Sequence, residues 1–348
     1  MAHPLCFEEE LAQRLNDAKP SMIFQGSTPE EFWQWHGRFK EKLVSLLGVI
    51  PERAGLDIVW GPEIDRGSYV RHPLQYQSEA GVRVPAHLLV PKSATAGTPA
   101  PGMLCLHGHG QFGKDSVVGI VDTDERRSEV ERLQYDYGRR FAERGYVVLA
   151  PDLRGFGERR PDYPGPRTDY CARNYFAAAL LGCTVMGLQM CDLYAALDLL
   201  QSLDFVDGGR LGCAGLSYGG RTTMMISALD ERIGISIPSG CMNLYQERFA
   251  RVRERMCGSQ FIPHLLLYGD TPEIFSLVAP RPMVIEIGLS DGLIPHDWME
   301  RGLARIRKAY EAAGAADRLW IDKFAAAHQF HFDVAITVVD RWRNGEFD

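Results

Sequence analysis

The chain has 348 residues, of which 45% are hydrophobic and 24% charged, a balance typical of folded globular proteins and not of disordered ones. Its 38 basic and 45 acidic side chains give a formal charge of −7. Because no basic run is long enough to follow a phosphate backbone, a nucleic-acid partner is not expected. We find no secretory signal at the start and no apolar run long enough for a bilayer, so a cytoplasmic location without membrane attachment is predicted.

The N-terminal part predicts one helix followed by antiparallel strands. Aromatic and leucine residues recur at helical spacing over Pro29–Leu47. Short apolar runs between Asp57 and Pro91 are separated by Gly and Pro, which favours antiparallel strands, and Lys92–Pro101 is typical of a surface loop. We therefore predict a helical extension over residues 1–54 and a catalytic domain over residues 55–348.

The rest of the chain alternates short apolar strands with longer helical segments, the pattern of βαβ units. The predicted fold is therefore an α/β fold with a mostly parallel, twisted sheet flanked by helices. Its strand candidates are Met103–Leu106, Tyr146–Ala150, Leu211–Ala214, Ile233–Ile237, Met283–Ile287 and Leu319–Phe324. Its helix candidates are Ser128–Arg144, Tyr175–Leu203, Leu303–Ala313 and His331–Arg343.

A charged and aromatic segment, residues 243–276, interrupts this alternation between two strands. Ligands bind above the carboxyl edge of open α/β sheets, so we expect this insertion to line the pocket. An ordinary solvated loop and helix without substrate contact is the alternative.

The segment Gly215–Gly220 carries the candidate nucleophile, Ser217. It follows a predicted strand and opens a predicted helix. A serine on so sharp a turn needs small neighbours two positions away on either side, which Gly215 and Gly219 provide. The sequence therefore predicts a nucleophile turn at Ser217.

A serine hydroxyl is a weak nucleophile at neutral pH and needs an imidazole as base and a carboxylate to orient that imidazole. Asp291 follows the predicted strand Met283–Ile287, and His328 follows the last predicted strand. We prefer them to Asp297, which is expected to cap the next helix, and to His331, which is expected to be a structural histidine on the closing helix. Asp322 and Asp333 are interpreted as surface carboxylates.

Acyl transfer also needs two N–H donors for the oxygen that becomes an anion. We expect the backbone N–H of Tyr218 to be one donor. The other should come from the loop Leu106–Gly110, with His109 preferred and Gly110 as the alternative. The side chains of His107 and His109 are expected to brace this loop, since no Cys or carboxylate companion suggests a metal site.

The eight cysteines contain no CxxC pair and are interpreted as reduced. A metal site built from Cys241, Cys257 and His264 matches no zinc spacing. The sequence therefore predicts neither a metal nor a cofactor.

These motifs resemble the α/β-hydrolase superfamily, and within it the branch similar to dienelactone hydrolases and acetyl xylan esterases. The resemblance covers most of the chain and is carried by residues 107–110, 150–157, 215–220 and 279–282, with Asp291 and residues 328–330. It implies a supporting role for Asp152 and Arg154. Dienelactone hydrolases proper use a cysteine where this chain has Ser217, which favours ester chemistry. The helical stretch from Phe7 to Leu47 is longer than the fold requires and suggests a homo-oligomer.

The expected function is a serine carboxylesterase that acts on a small-molecule ester with a short acyl or acetyl group. A peptidase or amidase of the prolyl-oligopeptidase type shares the same triad and is the alternative. A hydrolase fold that binds without catalysis is a third reading, which the complete set of catalytic residue types disfavours.

Overall fold

The computed structural model describes residues 6–162, 167–251 and 257–348. One ten-stranded sheet runs through the molecule in the order β1-β3-β4-β6-β5-β7-β8-β9-β10, with β2 paired to β3. The strands are β1 Val59–Trp60, β2 Ile64–Asp65, β3 Tyr69–Glu79, β4 Val82–Pro91, β5 Ala100–Leu106, β6 Val147–Pro151, β7 Val206–Leu216, β8 Ile233–Ser239, β9 Met283–Gly288 and β10 Leu319–Phe324. The helices are α1 Phe7–Asn16, α2 Pro29–Leu46, α3 Lys114–Val117, α4 Asp124–Leu133, α5 Tyr137–Glu143, α6 Arg167–Leu180, α7 Val185–Ser202, α8 Tyr218–Leu229, α9 Tyr245–Arg251, α10 Thr271–Ser276, α11 His296–Ala312 and α12 Asp333–Arg343.

The sheet has an antiparallel half and a parallel half. β3 pairs antiparallel with β4, and β4 pairs antiparallel with β6. From β6 through β5, β7, β8 and β9 to β10, every neighbouring pair is parallel. The predicted strands and the mostly parallel α/β architecture are confirmed. Because the carboxyl ends of parallel strands share one edge, the loops after β5, β7, β8, β9 and β10 meet there.

The N-terminal helix α2 packs into the main core. Thr28 begins it with a reciprocal capping box to Glu31, and its apolar face buries Phe32, Trp35 and Phe39 among the residues of the central core. The predicted helix is therefore confirmed. The domain division at residue 54 stays a prediction.

Two long predicted helices are each divided in the structure. The prediction over Ser128–Arg144 is wrong because Gln134 adopts the left-handed conformation (φ 48°, ψ 48°) and separates α4 from α5. The prediction over Tyr175–Leu203 is also wrong. The chain leaves the helical conformation at Gly182 (φ 72°), just after α6, and α7 begins after Thr184, whose side chain accepts the N–H of Gly187. No helix within the described residues is both long enough and apolar enough to cross a membrane.

The insertion between β8 and β9 is fastened at both ends by one buried carboxylate. Asp270 Oδ1 accepts the backbone N–H of Tyr245 at 2.9 Å and that of Thr271 at 2.7 Å. Its Oδ2 accepts the N–H of Gln246 at 3.1 Å. The beginning of α9 and the beginning of α10 are thereby held side by side.

Candidate active site

Ser217 occupies the predicted sharp turn between β7 and α8. Its backbone has φ 63° and ψ −115°, a conformation that residues other than glycine rarely adopt. A Cβ on Gly219 would lie 1.9 Å from the carbonyl oxygen of Leu106, and one on Gly215 would lie 2.5 Å from Gly219. Both glycines are therefore required by packing, as the sequence predicts.

Asp291 and His328 meet at the carboxyl edge of the sheet. The Asp291 side chain, 1% exposed, lies on the turn after β9, and its Oδ2 is 2.6 Å from His328 Nδ1. Its other oxygen accepts the backbone N–H of Leu293 at 3.0 Å. Since a carboxylate can only accept, this bond assigns the proton to Nδ1 and leaves the Nε2 lone pair available as a base.

Gly240 connects this pair to the nucleophile turn. It follows Ser239, whose carbonyl accepts the Ser217 N–H at 2.8 Å. A Cβ on Gly240 would lie 3.1 Å from Cε1 and 3.2 Å from Nδ1 of His328. The imidazole therefore lies against Gly240, and the residue before Gly240 is hydrogen-bonded to Ser217. Ser217, Asp291 and His328 thus lie at the same edge of the sheet.

The rival residues lie in other environments. His331 Nδ1 bonds to Asp322 Oδ2 at 2.6 Å, and its ring stacks on Phe324 at 4.3 Å, as a structural histidine does. It precedes α12, so its expected position on that helix is wrong. Asp322 is buried by this contact and is not a surface carboxylate, whereas Asp333 is exposed. Asp297 is also exposed, and no side chain caps α11, so its expected capping role is wrong.

The loop after β5 passes directly against the nucleophile turn. A Cβ on Gly108 would lie 3.0 Å from Ser217 Cβ, so only glycine fits there. The Gly108 N–H donates to the Tyr135 hydroxyl at 2.5 Å. Tyr135 lies in the short segment that separates α4 from α5. The Gly108 N–H is therefore already used.

Three other N–H groups at this place are candidates for binding an oxyanion. Tyr218 is the first residue of α8, so its N–H has no acceptor within the helix. Among the described residues, neither the N–H of His109 nor that of Gly110 has a hydrogen-bond acceptor. Both donors named from the sequence thus stay available, as does the alternative.

His107 braces the loop, as predicted. Its ring is fully buried, with Nδ1 2.7 Å from the Gly108 carbonyl, and its Nε2 accepts the Leu153 N–H at 2.9 Å. Burial lowers the pKa of His107, which favours the neutral ring that this bonding pattern requires.

Asp152 and Arg154 make the supporting contacts that the resemblance implies. The Asp152 carboxylate accepts from Lys114 Nζ at 2.7 Å and from the Lys114 N–H at 2.9 Å. Arg154 binds both oxygens of Asp192, at 2.8 and 2.6 Å, and Glu79 at 2.6 Å. These ion pairs hold the segment after β6 against α7 and β3.

The His109 side chain has the cysteine companions that the sequence argument did not foresee. His109, Cys171 and Cys257 bring their ligand-type atoms within 4.8 Å of one another. The pKa of the Cys171 thiol is lowered well below its usual range, because the Cys257 thiol and the nearby His109 ring stabilise its thiolate. No spacing along the chain could signal this meeting, because α6 and the insertion bring the cysteines to the loop. The described cysteines form no disulfide.

Glu286 on β9 is a second residue that the sequence argument missed. Its fully buried carboxylate accepts the N–H groups of His331 and Phe332, each at 3.0 Å, and so fixes the chain just after His328. Burial raises the pKa of Glu286 to about 7. A charged residue inside an otherwise apolar strand is the signal that could have revealed it.

The chain has similarity to known proteins over most of its length. It is 28% identical over 303 residues to YtaP of Bacillus subtilis (strain 168), a protein named as a hydrolase, covering 85% of this chain and 94% of YtaP. A Bacteroides fragilis protein assigned as an acetyl xylan esterase superposes with a TM-score of 0.75 at 19% identity, covering 93% of this chain and 83% of that one. A glucuronoyl esterase from Solibacter usitatus superposes with a TM-score of 0.66 at 14% identity, covering 95% and 99%. At these identities the structural matches establish the α/β-hydrolase fold. The model of the Abhydrolase family matches residues 10–337, and the chain therefore belongs to that family.

Proposed function

We propose that the protein is a carboxylic ester hydrolase that acts on short acyl or acetyl esters, with Ser217 as nucleophile, His328 as base and Asp291 as the orienting carboxylate. The observation that carries the proposal is the 2.6 Å bond between Asp291 and His328, with the imidazole against Gly240 beside the Ser217 turn. An activated serine requires a base beside it and a group that orients that base, and this arrangement brings both residue types to the nucleophile turn.

In the first half-reaction, Ser217 Oγ attacks the ester carbonyl while its proton moves to His328 Nε2. The carbonyl oxygen becomes an anion, and the N–H groups of Tyr218 and His109 are proposed to bind it; removing such a donor typically costs about 3 kcal/mol of transition-state stabilisation. Asp291 stabilises the imidazolium. Collapse of the adduct breaks the bond to the alcohol oxygen, which takes the proton from Nε2 and leaves an acyl-serine.

In the second half-reaction, His328 Nε2 takes a proton from water, whose oxygen attacks the acyl-serine carbonyl. Collapse of this adduct releases the carboxylic acid and returns the proton to Ser217. Ester and water are the only reactants in these two half-reactions, so the proposed reaction requires no cofactor.

The choice of an ester over an amide draws on the structural relatives. Their names describe an acetyl xylan esterase and a glucuronoyl esterase, both of which act on esters. The inference that the substrate is an ester rests on similarity of fold, and it favours ester hydrolysis over the peptidase alternative.

The test is hydrolysis of p-nitrophenyl acetate by the wild type, by Ser217→Ala and by the matched control Ser290→Ala, an exposed serine on the Asp291 turn. We expect Ser217→Ala to lose kcat by about 10⁵-fold or more with an unchanged thermal midpoint, and the control to keep wild-type turnover. A fluorophosphonate probe should label the wild type and the control but not Ser217→Ala. Near-native turnover by Ser217→Ala would contradict the proposal.

An ester and an anilide of the same acyl group distinguish an esterase from the peptidase or amidase alternative. We expect the ester to be cleaved with the higher kcat/KM. Preference for the anilide would establish the peptidase alternative instead.

A further inference from the structure

Three side chains with metal-binding atoms meet beside the loop after β5. His109 belongs to that loop, Cys171 lies on α6, and Cys257 belongs to the insertion between β8 and β9. The imidazole and the two Sγ atoms lie within 4.8 Å of one another. Segments that are far apart along the chain thus converge on one point.

The residue types suit a borderline-soft divalent cation. Two thiolates and one imidazole are common zinc ligands, and a tetrahedral ion with bonds of about 2.0–2.3 Å would require its ligand atoms to lie roughly 3.5–3.8 Å apart. The three ligand atoms lie within 4.8 Å of one another, so each separation has to shorten by at most about 1.3 Å to reach this geometry. Cys171 is buried, so water does not compete freely for its sulfur.

Unpaired buried polar atoms at the cluster also indicate a missing partner. His109 Nε2 is buried and has no hydrogen-bond partner of ordinary geometry within the described part of the chain. Ser259 is 1% exposed and lies beside both thiols. Its Oγ is likewise buried without a hydrogen-bond partner of ordinary geometry among the described residues. Buried polar atoms are rarely left without a partner, so each calls for an explanation. A bound cation would satisfy the imidazole directly.

We propose that His109, Cys171 and Cys257 form a zinc site with three protein ligands and a fourth position open to water or to Ser259. Binding Zn²⁺ forms two Zn–S bonds and one Zn–N bond, and each thiol that still carries a proton releases it to solvent. No oxidation or reduction is involved.

A disulfide between the two cysteines explains less of the structure. It would use both sulfur atoms but leave His109 Nε2 buried without a partner. It would also need an oxidant, whereas a cation accounts for all three side chains together.

The ion would join three segments around the nucleophile turn. The His109 ring packs on Tyr218 at 5.1 Å and on Phe156 at 5.4 Å between ring centroids, and Tyr218 directly follows Ser217. Fixing this ring would therefore fix the loop after β5 relative to α6 and the insertion. The site itself does not depend on the proposed esterase activity.

The experiment is a metal titration of the reduced, metal-free full-length protein. Zn²⁺ affinity is measured by competition with a chromophoric chelator, and Co²⁺ substitution is followed by its absorption spectrum. We expect one ion per chain, thiolate-to-cobalt charge-transfer absorption, the visible bands of tetrahedral Co²⁺, and a higher thermal midpoint with Zn²⁺.

Variants locate the ion. Cys171→Ser, Cys257→Ser and His109→Gln should each weaken Zn²⁺ binding by about 100-fold or more, at least the loss caused by removing an outer-shell contact. The matched controls Cys183→Ser and His264→Gln, which lie outside the cluster, should bind like the wild type. Because His109 also supplies a backbone N–H proposed for the oxyanion, His109→Gln is judged by its Zn²⁺ affinity and not by its esterase activity.

Three results would overturn the site. One is a reduced wild type that binds no Zn²⁺ at micromolar concentration. Another is a set of folded cluster variants with unchanged affinity. The third is a purified protein in which Cys171 and Cys257 are joined as a disulfide and whose reduced form has no affinity for Zn²⁺.

Discussion

Two histidine–aspartate pairs lie side by side at the carboxyl edge of the sheet, with the same Nδ1···Oδ2 distance of 2.6 Å. The histidines are 24% and 27% exposed, and both carboxylates are buried. What differs is the surroundings: the ring of His328 lies against Gly240 beside the Ser217 turn, whereas that of His331 stacks on Phe324. A short bond from histidine to carboxylate therefore does not identify a catalytic pair. The position of the His328 ring relative to the Ser217 turn is what supports its proposed role.

The sharpest test of this comparison removes each imidazole in turn. We expect His328→Ala to lower kcat on p-nitrophenyl acetate by about 10⁵-fold, because His328 is the proposed base for the Ser217 proton. His331→Ala should stay within about tenfold of the wild type, since its ring only packs and bonds to Asp322. Equal losses in the two folded variants would erase the distinction between the pairs.

The carboxylates give the second test. Asp291→Asn should lower kcat by about 10⁴-fold, because an amide that donates to Nδ1 favours the wrong tautomer of His328. The matched change Asp322→Asn should cost stability in urea unfolding and less than about tenfold in kcat. A larger kinetic loss from Asp322→Asn than from Asp291→Asn would reverse our assignment.

Glu286 accepts the N–H groups of His331 and Phe332, and its ionisation makes the stability of the protein dependent on pH. Its pKa is raised from 4.5 to about 7, so the folded state retains a proton that the unfolded chain has lost between these values. The stabilisation is complete below pH 4.5 and disappears as the pH rises through 7, a change of up to about 3 kcal/mol in the free energy of unfolding. Urea unfolding across this range should show that decline in the wild type and in the exposed control Glu311→Gln. The same decline in Glu286→Gln would remove Glu286 as its cause.

The smallest effect concerns the packing of the structural pair. Phe324→Leu removes the ring stacked on His331 and should lower the free energy of unfolding by about 1–2 kcal/mol with kcat/KM nearly unchanged. The exposed control Phe176→Leu should change stability by less than about 0.5 kcal/mol. A kinetic defect in Phe324→Leu would show that the two pairs are coupled.

The parts that the sequence predicted correctly obey local rules. The Ser217 turn could be recognised because Gly215 and Gly219 are needed wherever a strand and a helix meet so tightly. The core strands were recognisable from short apolar runs bounded by breaks. The break before Thr184 also carried a signal, since Gly182 and a threonine cap stand there in the sequence.

The parts that escaped prediction depend on tertiary contacts. Gln134 is neither Gly nor Pro, and its left-handed conformation goes with the placement of Tyr135 against Gly108. Asp322 becomes buried only because a later loop brings His331 over it. The meeting of Cys171 and Cys257 at His109 likewise requires three segments to be folded together. None of these events is encoded by spacing along the chain.

The carboxylate of Asp270 has a consequence for how α9 and α10 can move. It ties Tyr245 and Gln246 to Thr271, so one side chain holds the beginnings of both helices. Neither helix can shift away from the other without breaking hydrogen bonds to that carboxylate. The two ends of the insertion are therefore mechanically linked, and any change at residue 270 acts on both of them.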